Sequence, residues 1–229
     1  MAQSTLALVS GIAPQYNSEQ DRVEIAQAIR KAERHLARRD PIMKRLIANH
    51  GRCPLAEREF EPFHMLANSI ISQQLSNKAA ATIKQRVGAL VGVPFQVARV
   101  LAVSEEQLRG AGLSQAKARY IRELAALVSD GRLEFAPIVA LDDETVIEKL
   151  TVVPGIGRWT AEMFLLFGLK RLDVLALGDA GLQRAARLLY GKARKSTTLL
   201  PRVAERWRPY RSIASWYLWR SLEAVQKTK

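Results

Sequence analysis

The sequence predicts an all-α protein. Apolar residues recur at helical spacing through most of the chain, Ser and Asp stand as caps just before those stripes, and no stretch alternates with period two for long enough to make a strand. Residues 19–38 place Val23, Ala26, Ile29 and Leu36 close to one face. Phe63, Leu66, Ala67, Ile70 and Ile71 then follow the i, i+3, i+4, i+7, i+8 pattern of a core-facing helix. Ser76 is a cap for a helix carrying Ala79, Ala80, Ile83, Val87 and Leu90. Ser104 and Gln107 form a capping box in "SEEQL". Ser114 opens a helix with Ile121, Leu124, Ala125 and Val128 inward, and Gly131 follows its end. Asp142 or Asp143 starts the next. The first 18 residues show no such pattern and are expected to be a loose arm.

Composition narrows the function classes. Among 229 residues, 35 Lys and Arg face 22 acidic residues, a net charge of +13, which favours a polyanionic partner, nucleic acid before an anionic membrane. The excess is steepest from Arg184 to Arg220, with ten Lys or Arg and one acid, Glu205. That stretch is expected to face the polyanion; a solvated helix face is the alternative. Cys53 is the only cysteine, which excludes an intramolecular disulfide, a Cys-ligated zinc and a Cys-ligated iron–sulfur cluster. The amino terminus lacks a basic n-region, and no segment approaches the roughly 18 apolar residues of a membrane span. An intracellular protein in a reducing compartment is expected, with no membrane partner.

The run "LTVVPGIGRWTAEMFLLFGL", Leu150–Leu169, sets a short turn between two apolar helical segments. Gly155 and Gly157 can take positive φ without steric cost, and Pro154 fixes the approach. Main-chain N–H groups then point outward at the next helix start, where they can bind a phosphate oxygen. Arg158 suits the helix dipole poorly and is better explained as a second phosphate partner. An ordinary tight turn without a ligand is the alternative. Further on, Asp179 follows an apolar, strand-like segment and precedes a helix, so it is a good N-cap; that position also stabilises negative charge. Asp173, the other carboxylate nearby, fits a structural ion pair.

The hairpin run, with "VLALGDAGLQRAARLLYG" after it, closely resembles the helix-hairpin-helix superfamily of DNA base-excision glycosylases. "FHMLANSIISQQLSNKAAATIKQRV", "GLSQAKARYIRELA" and "ERWRPYRSIASWYLWRSLE" are similar to further segments of its DNA-3-methyladenine glycosylase II branch, so the resemblance runs from about Phe60 to Glu223. It implies a two-lobed helical fold with the active-site cleft between lobes. A bundle over residues 61–168 would end in the hairpin, and a discontinuous lobe would join 19–60 to 169–229.

The resemblance also implies roles. Asp179 matches the catalytic aspartate, which stabilises the oxocarbenium-like sugar or orients water. Trp159 stands where bifunctional members carry a Schiff-base lysine, so base removal without lyase chemistry is expected. Gln74 would plug the vacated stack and Leu75 wedge the opposite strand, although periodicity alone reads Leu75 as core. Trp159 and Trp219 would line the base pocket with Phe63 near its floor, the aromatic faces suiting a cationic alkylated base. Trp207, Trp216, Tyr210 and Tyr217 are expected in packing, and His64 at the surface or beside the minor groove. Carbonyls of Thr151, Val153 and Ile156 would hold a monovalent cation, with no other cofactor required. The implied function is hydrolysis of the N-glycosidic bond of alkylated purines in duplex DNA by a monomer. Its rivals are a glycosylase for other damaged bases and a non-catalytic DNA-binding protein.

Overall fold

The computed structural model describes residues 18–57, 59–191 and 199–226, and no strand occurs among them. The loose arm expected over residues 1–18 therefore lies, apart from Ser18, outside the described residues. The chain divides into two compact units, one of Phe60–Phe164 and the other joining Gln15–Glu59 to Leu165–Lys229. No helix among the described residues is long and apolar enough to cross a membrane.

The second unit begins with α1 (Glu19–Arg39), opened by a Ser18–Asp21 capping box. Its buried stripe is Ile29, Ala32, Glu33 and Leu36; Val23, expected inward, is instead 46% exposed because the stripe runs one turn further along the helix. Asp40 caps α2 (Pro41–His50) through the amides of Ile42 and Met43. Its other oxygen accepts from Tyr190 Oη at 2.9 Å and Trp207 Nε1 at 3.1 Å. Glu33, also buried, takes the Cys53 amide at 3.0 Å and lies 2.8 Å from Tyr217 Oη. Buried polar groups need such partners, since an unmade bond there costs about 1–3 kcal/mol. The unit is completed by α11 (Ala180–Tyr190), α12 (Leu199–Ala204) and α13 (Arg211–Gln226). Trp207, Trp216 and Tyr217 are buried, as packing roles require.

The first unit holds α3 (Pro62–Ser72), α4 (Asn77–Val91), α5 (Val97–Ala102), α6 (Glu105–Gly110), α7 (Gln115–Ser129), α8 (Phe135–Ile138), α9 (Asp143–Thr151) and α10 (Arg158–Met163). The caps Ser76, Ser104, Ser114 and Asp142 all bond first-turn amides as their positions predict. All five apolar residues of the α3 pattern are buried, Phe63 among them at 6% exposure. On α4 the buried set is Ala80, Val87, Gly88 and Val91, leaving Leu90 exposed, because Gly88 turns that face against Val93 and Phe95. His64 is half-buried: Nδ1 accepts from the Phe95 amide at 3.1 Å and Nε2 lies 2.8 Å from the Asn68 amide group. A π-helical segment, Phe164–Gly168, continues α10, and the boundary between units falls inside it.

Candidate active site

The hairpin between α9 and α10 is pinned from within and open outside. Val153 and Ile156 are buried, at 1% and 4% exposure, and the Ile156 amide bonds the Val153 carbonyl at 3.0 Å. These two contacts force the turn and leave Val152, Pro154, Gly157, Arg158 and Trp159 exposed. Gly155 has φ +85°, and a Cβ there would meet Tyr120 Cδ2 at 2.5 Å, so conformation and packing both demand glycine. Gly157 departs from the positive φ expected of it: at φ −92°, ψ 172° it is ordinary extended backbone, because it serves as the N-cap of α10. A Cβ there would meet nothing within 4 Å. Nothing inside the chain calls for a glycine at 157, which leaves room for a close approach from outside.

Arg158 does not extend freely from the turn. Its guanidinium takes both oxygens of Glu144 on α9, at 2.6 and 2.9 Å, and Nε reaches Glu162 on α10 at 3.3 Å. It thereby staples the two hairpin helices. The Glu144 hydrogen bond, more than its charge, raises the Arg158 pKa and lowers that of Glu144. Trp159, one residue on, is 48% exposed.

The α3–α4 connection, Gln73–Ser76, lies in the same unit as the hairpin. Gln74 has φ +57°, left-handed for a residue with a side chain, and both it and Leu75 are exposed. Leu75 is therefore not core, contrary to what periodicity alone suggests. Three residues that the sequence does not single out hold this loop and the hairpin turn. Lys117 on α7 donates to the carbonyls of Ile71 at 2.8 Å and Gln73 at 2.6 Å, while Gln73 Nε2 reaches the Gly155 carbonyl at 2.6 Å. The third is Tyr120, the ring lying against Gly155.

In the second unit, Asp179 precedes α11 with 8% exposure, and Oδ1 accepts from the Leu182 amide at 2.7 Å. The same oxygen accepts from Trp219 Nε1 on α13 at 3.0 Å. Trp219 also packs on Phe167, ring centroids 5.8 Å apart at 31°. The carboxylate and Trp219 are thus brought together, and Phe167 joins them. Gly181 makes the meeting possible: a Cβ there would stand 3.0 Å from Asp179 Oδ1 and 3.2 Å from Trp219 Cδ1. A glycine in the first turn of a helix, where its flexibility does nothing for the helix, was the available signal for it. Phe167 gave none, being one apolar residue in an apolar run.

The segment before Asp179 is not a strand. The Val174 amide is taken by Ser212 Oγ of α13 at 2.9 Å and the Ala176 carbonyl by the Asp179 amide at 3.0 Å, so these groups are spent on α13 and on a turn rather than on a strand ladder. Asp173 is the structural carboxylate its position suggests, bound by Arg211 at 2.8 Å and Arg208 at 3.2 Å. Those pairs engage two arginines of the basic stretch. Arg184 and Arg187 stay exposed on α11, and residues 192–198 lie outside the described residues. No cluster of three or more His, Cys, Asp or Glu able to hold a metal occurs among the described residues.

The chain can be set beside known proteins. It is 31% identical over 216 residues to DNA-3-methyladenine glycosylase 1 of Schizosaccharomyces pombe, covering 92% of this chain and 95% of that protein. It superposes on the S. pombe 3-methyladenine DNA glycosylase in complex with abasic DNA with a TM-score of 0.74 at 31% identity, covering 84% of this chain and 97% of that one. The Bacillus halodurans DNA-3-methyladenine glycosidase gives 0.66 at 42% identity, covering 80% and 89%. Residues 67–209 match the HhH-GPD superfamily base excision DNA repair protein family. The matched residues run through the stapled hairpin and on past the capped Asp179: this chain belongs to the HhH-GPD superfamily.

Proposed function

We propose that this chain is a monofunctional DNA glycosylase that hydrolyses the N-glycosidic bond of alkylated purines of the 3-methyladenine type in duplex DNA, within base excision repair. One observation carries the reading: Asp179, an N-cap with its Oδ1 held by Trp219, stands beside the Trp219–Phe167 aromatic pair. Relatives named for 3-methyladenine glycosylase activity support it.

The chemistry follows from that arrangement. Only a nucleotide rotated out of the duplex exposes its glycosidic bond, at a cost of a few kcal/mol that is smallest for damaged bases. An alkylated purine is cationic and is attracted to an electron-rich indole face, for which Trp219 is the candidate. The C1′–N bond breaks with its electron pair going to the base, which departs neutral. Positive charge develops on the sugar, and the Asp179 carboxylate stabilises it. Such preorganised groups are typically worth about 10²–10³ in rate. Water then attacks C1′, loses a proton, and leaves an abasic site. Trp159 cannot form a Schiff base, so the strand is not cut, and its exposed indole is assigned to stacking on a base.

The hairpin is the grip on the sugar-phosphate chain, with Gly157 as the point of close approach and Arg158 beside it, while Gln74 plugs the vacated stack and Leu75 wedges the opposite strand. Carbonyls of Thr151, Val153 and Ile156 would hold a monovalent cation, Val153 O with the lone pair that the Ile156 amide leaves free. Thr151 ends α9, where carbonyls lack intrahelical partners, and an all-oxygen set without carboxylates suits such an ion. A bound cation would add positive charge beside a phosphate.

The decisive test compares the parent with Asp179→Asn by mass spectrometry of bases freed from methylated DNA. Asn keeps the cap and the acceptor for Trp219, so folding and DNA binding should persist while release falls at least about 100-fold. Lost binding with merely weakened chemistry would refute the role. The parent should free 3-methyladenine faster than 8-oxoguanine or thymine, and borohydride should trap no covalent adduct.

A further inference from the structure

The Gln74–Leu75 loop and the hairpin turn are about 80 residues apart in sequence, yet one set of groups in the first unit holds both. Helix α3 ends at Ser72, and its last carbonyls would otherwise face solvent. Lys117 supplies an ammonium to one of them, Ile71 O, and to Gln73 O just past the helix end, a cation at the negative end of the helix dipole. Burial lowers the Lys117 pKa. One turn further along α7, Tyr120 packs on Gly155 so closely that no side chain fits there. The circuit closes where the Gln73 amide donates to the Gly155 carbonyl at 2.6 Å. Gln74 meanwhile sits at φ +57°. A non-glycine residue holds that conformation, at about 1–3 kcal/mol, only when its surroundings over-determine it.

We propose that Gln73 is a positioning residue that locks the Gln74–Leu75 loop to the hairpin turn, so that seating the turn on a phosphate presents the loop to the base stack at a fixed distance. Neither a helix cap nor core packing requires this. Lys117 already caps α3, and the Gln73 side chain reaches past it to a main-chain oxygen of the turn. The inference rests on the reading that hairpin and loop both engage DNA.

Gln73→Met keeps the length of the side chain and removes the donor. Expected results are an affinity for undamaged duplex within about twofold of the parent and single-turnover base release slower by about tenfold. On a duplex with a tetrahydrofuran abasic site flanked by 2-aminopurine, the fluorescence change that marks loop insertion should shrink. The double variant Gln73→Met/Leu75→Ala should be no slower than Leu75→Ala alone, because Gln73 acts through the loop. If the two losses multiply, or Gln73→Met leaves release and fluorescence unchanged, the proposal is overturned. Lys117→Met, which frees the same loop from α7, should repeat the pattern if Gln73→Met fails to fold, and Lys117→Arg should restore it. Should the parent free no base at all, the glycosidic reading fails, while the fluorescence arm still decides the coupling. Parent activity that Leu75→Ala does not slow would overturn the insertion role and the coupling with it.

Discussion

Gly155 and Gly157 look equivalent in sequence and differ in physics. At 155 the φ of +85° and the Tyr120 ring both exclude a Cβ. Gly155→Ala should therefore lower Tm by several degrees, since the left-handed geometry alone costs about 1–2 kcal/mol. At 157 the backbone is ordinary and the space open. Gly157→Ser supplies a better N-cap, so Tm should hold or rise while affinity for duplex DNA falls about tenfold. Calorimetry and a binding titration on the two variants separate a glycine that serves the fold from one that serves the ligand. Gly181 belongs to a third kind: it leaves space for one side chain to reach another, Trp219 to Asp179.

The helices of the hairpin are joined by a charge clamp that bears on binding. Arg158 is held by Glu144 across the turn and by Glu162 on its own helix, so a phosphate drawn to it would compete with two carboxylates. Glu144→Gln should release the guanidinium. The expected result is several-fold tighter binding to undamaged duplex, with the slope of log K against log[salt] steeper by up to about 0.9, one phosphate contact. An unchanged slope would assign Arg158 to the turn alone. At this scale the sequence was most legible. Ser76, Ser104, Ser114 and Asp142 each cap the helix that their spacing announces, because a cap acts over three residues. Helix faces were read less well, as Val23 and Leu90 demonstrate, since neighbours choose which side of a broad stripe is covered. Of the candidate site, Asp179 and the hairpin glycines were visible in local pattern and family resemblance. Phe167, Gln73 and Lys117 were not, because each acts on a group brought near by folding: Gly155 is 82 residues from Gln73.

Across the whole molecule, each unit carries one histidine whose pKa is lowered. For His64 the cause is burial first, then the nearby Lys84; for His50 it is burial, then Arg220, opposed by Glu223. A lowered pKa means that the folded state resists protonation more than the unfolded chain does. That stability is fully present above about pH 6.5 and is lost as pH falls through the folded values. Tm should accordingly drop between pH 6.5 and 5, and His64→Asn should flatten part of the drop. A Tm that held steady across that range would contradict the partial burial of these rings.

The second unit has its own timetable. Glu33 near its start is completed by Tyr217, 184 residues later, and Asp40 by Trp207, 167 residues later. At about 5–20 residues per second on the ribosome, the first of those waits is roughly ten to forty seconds. Phe60–Phe164, contiguous and lying between the two halves, is fully translated before α13 emerges. A nascent chain therefore possesses the whole sequence of its hairpin before Trp219, the partner of Asp179, has been made, and translation stalled short of α13 leaves that carboxylate without its indole.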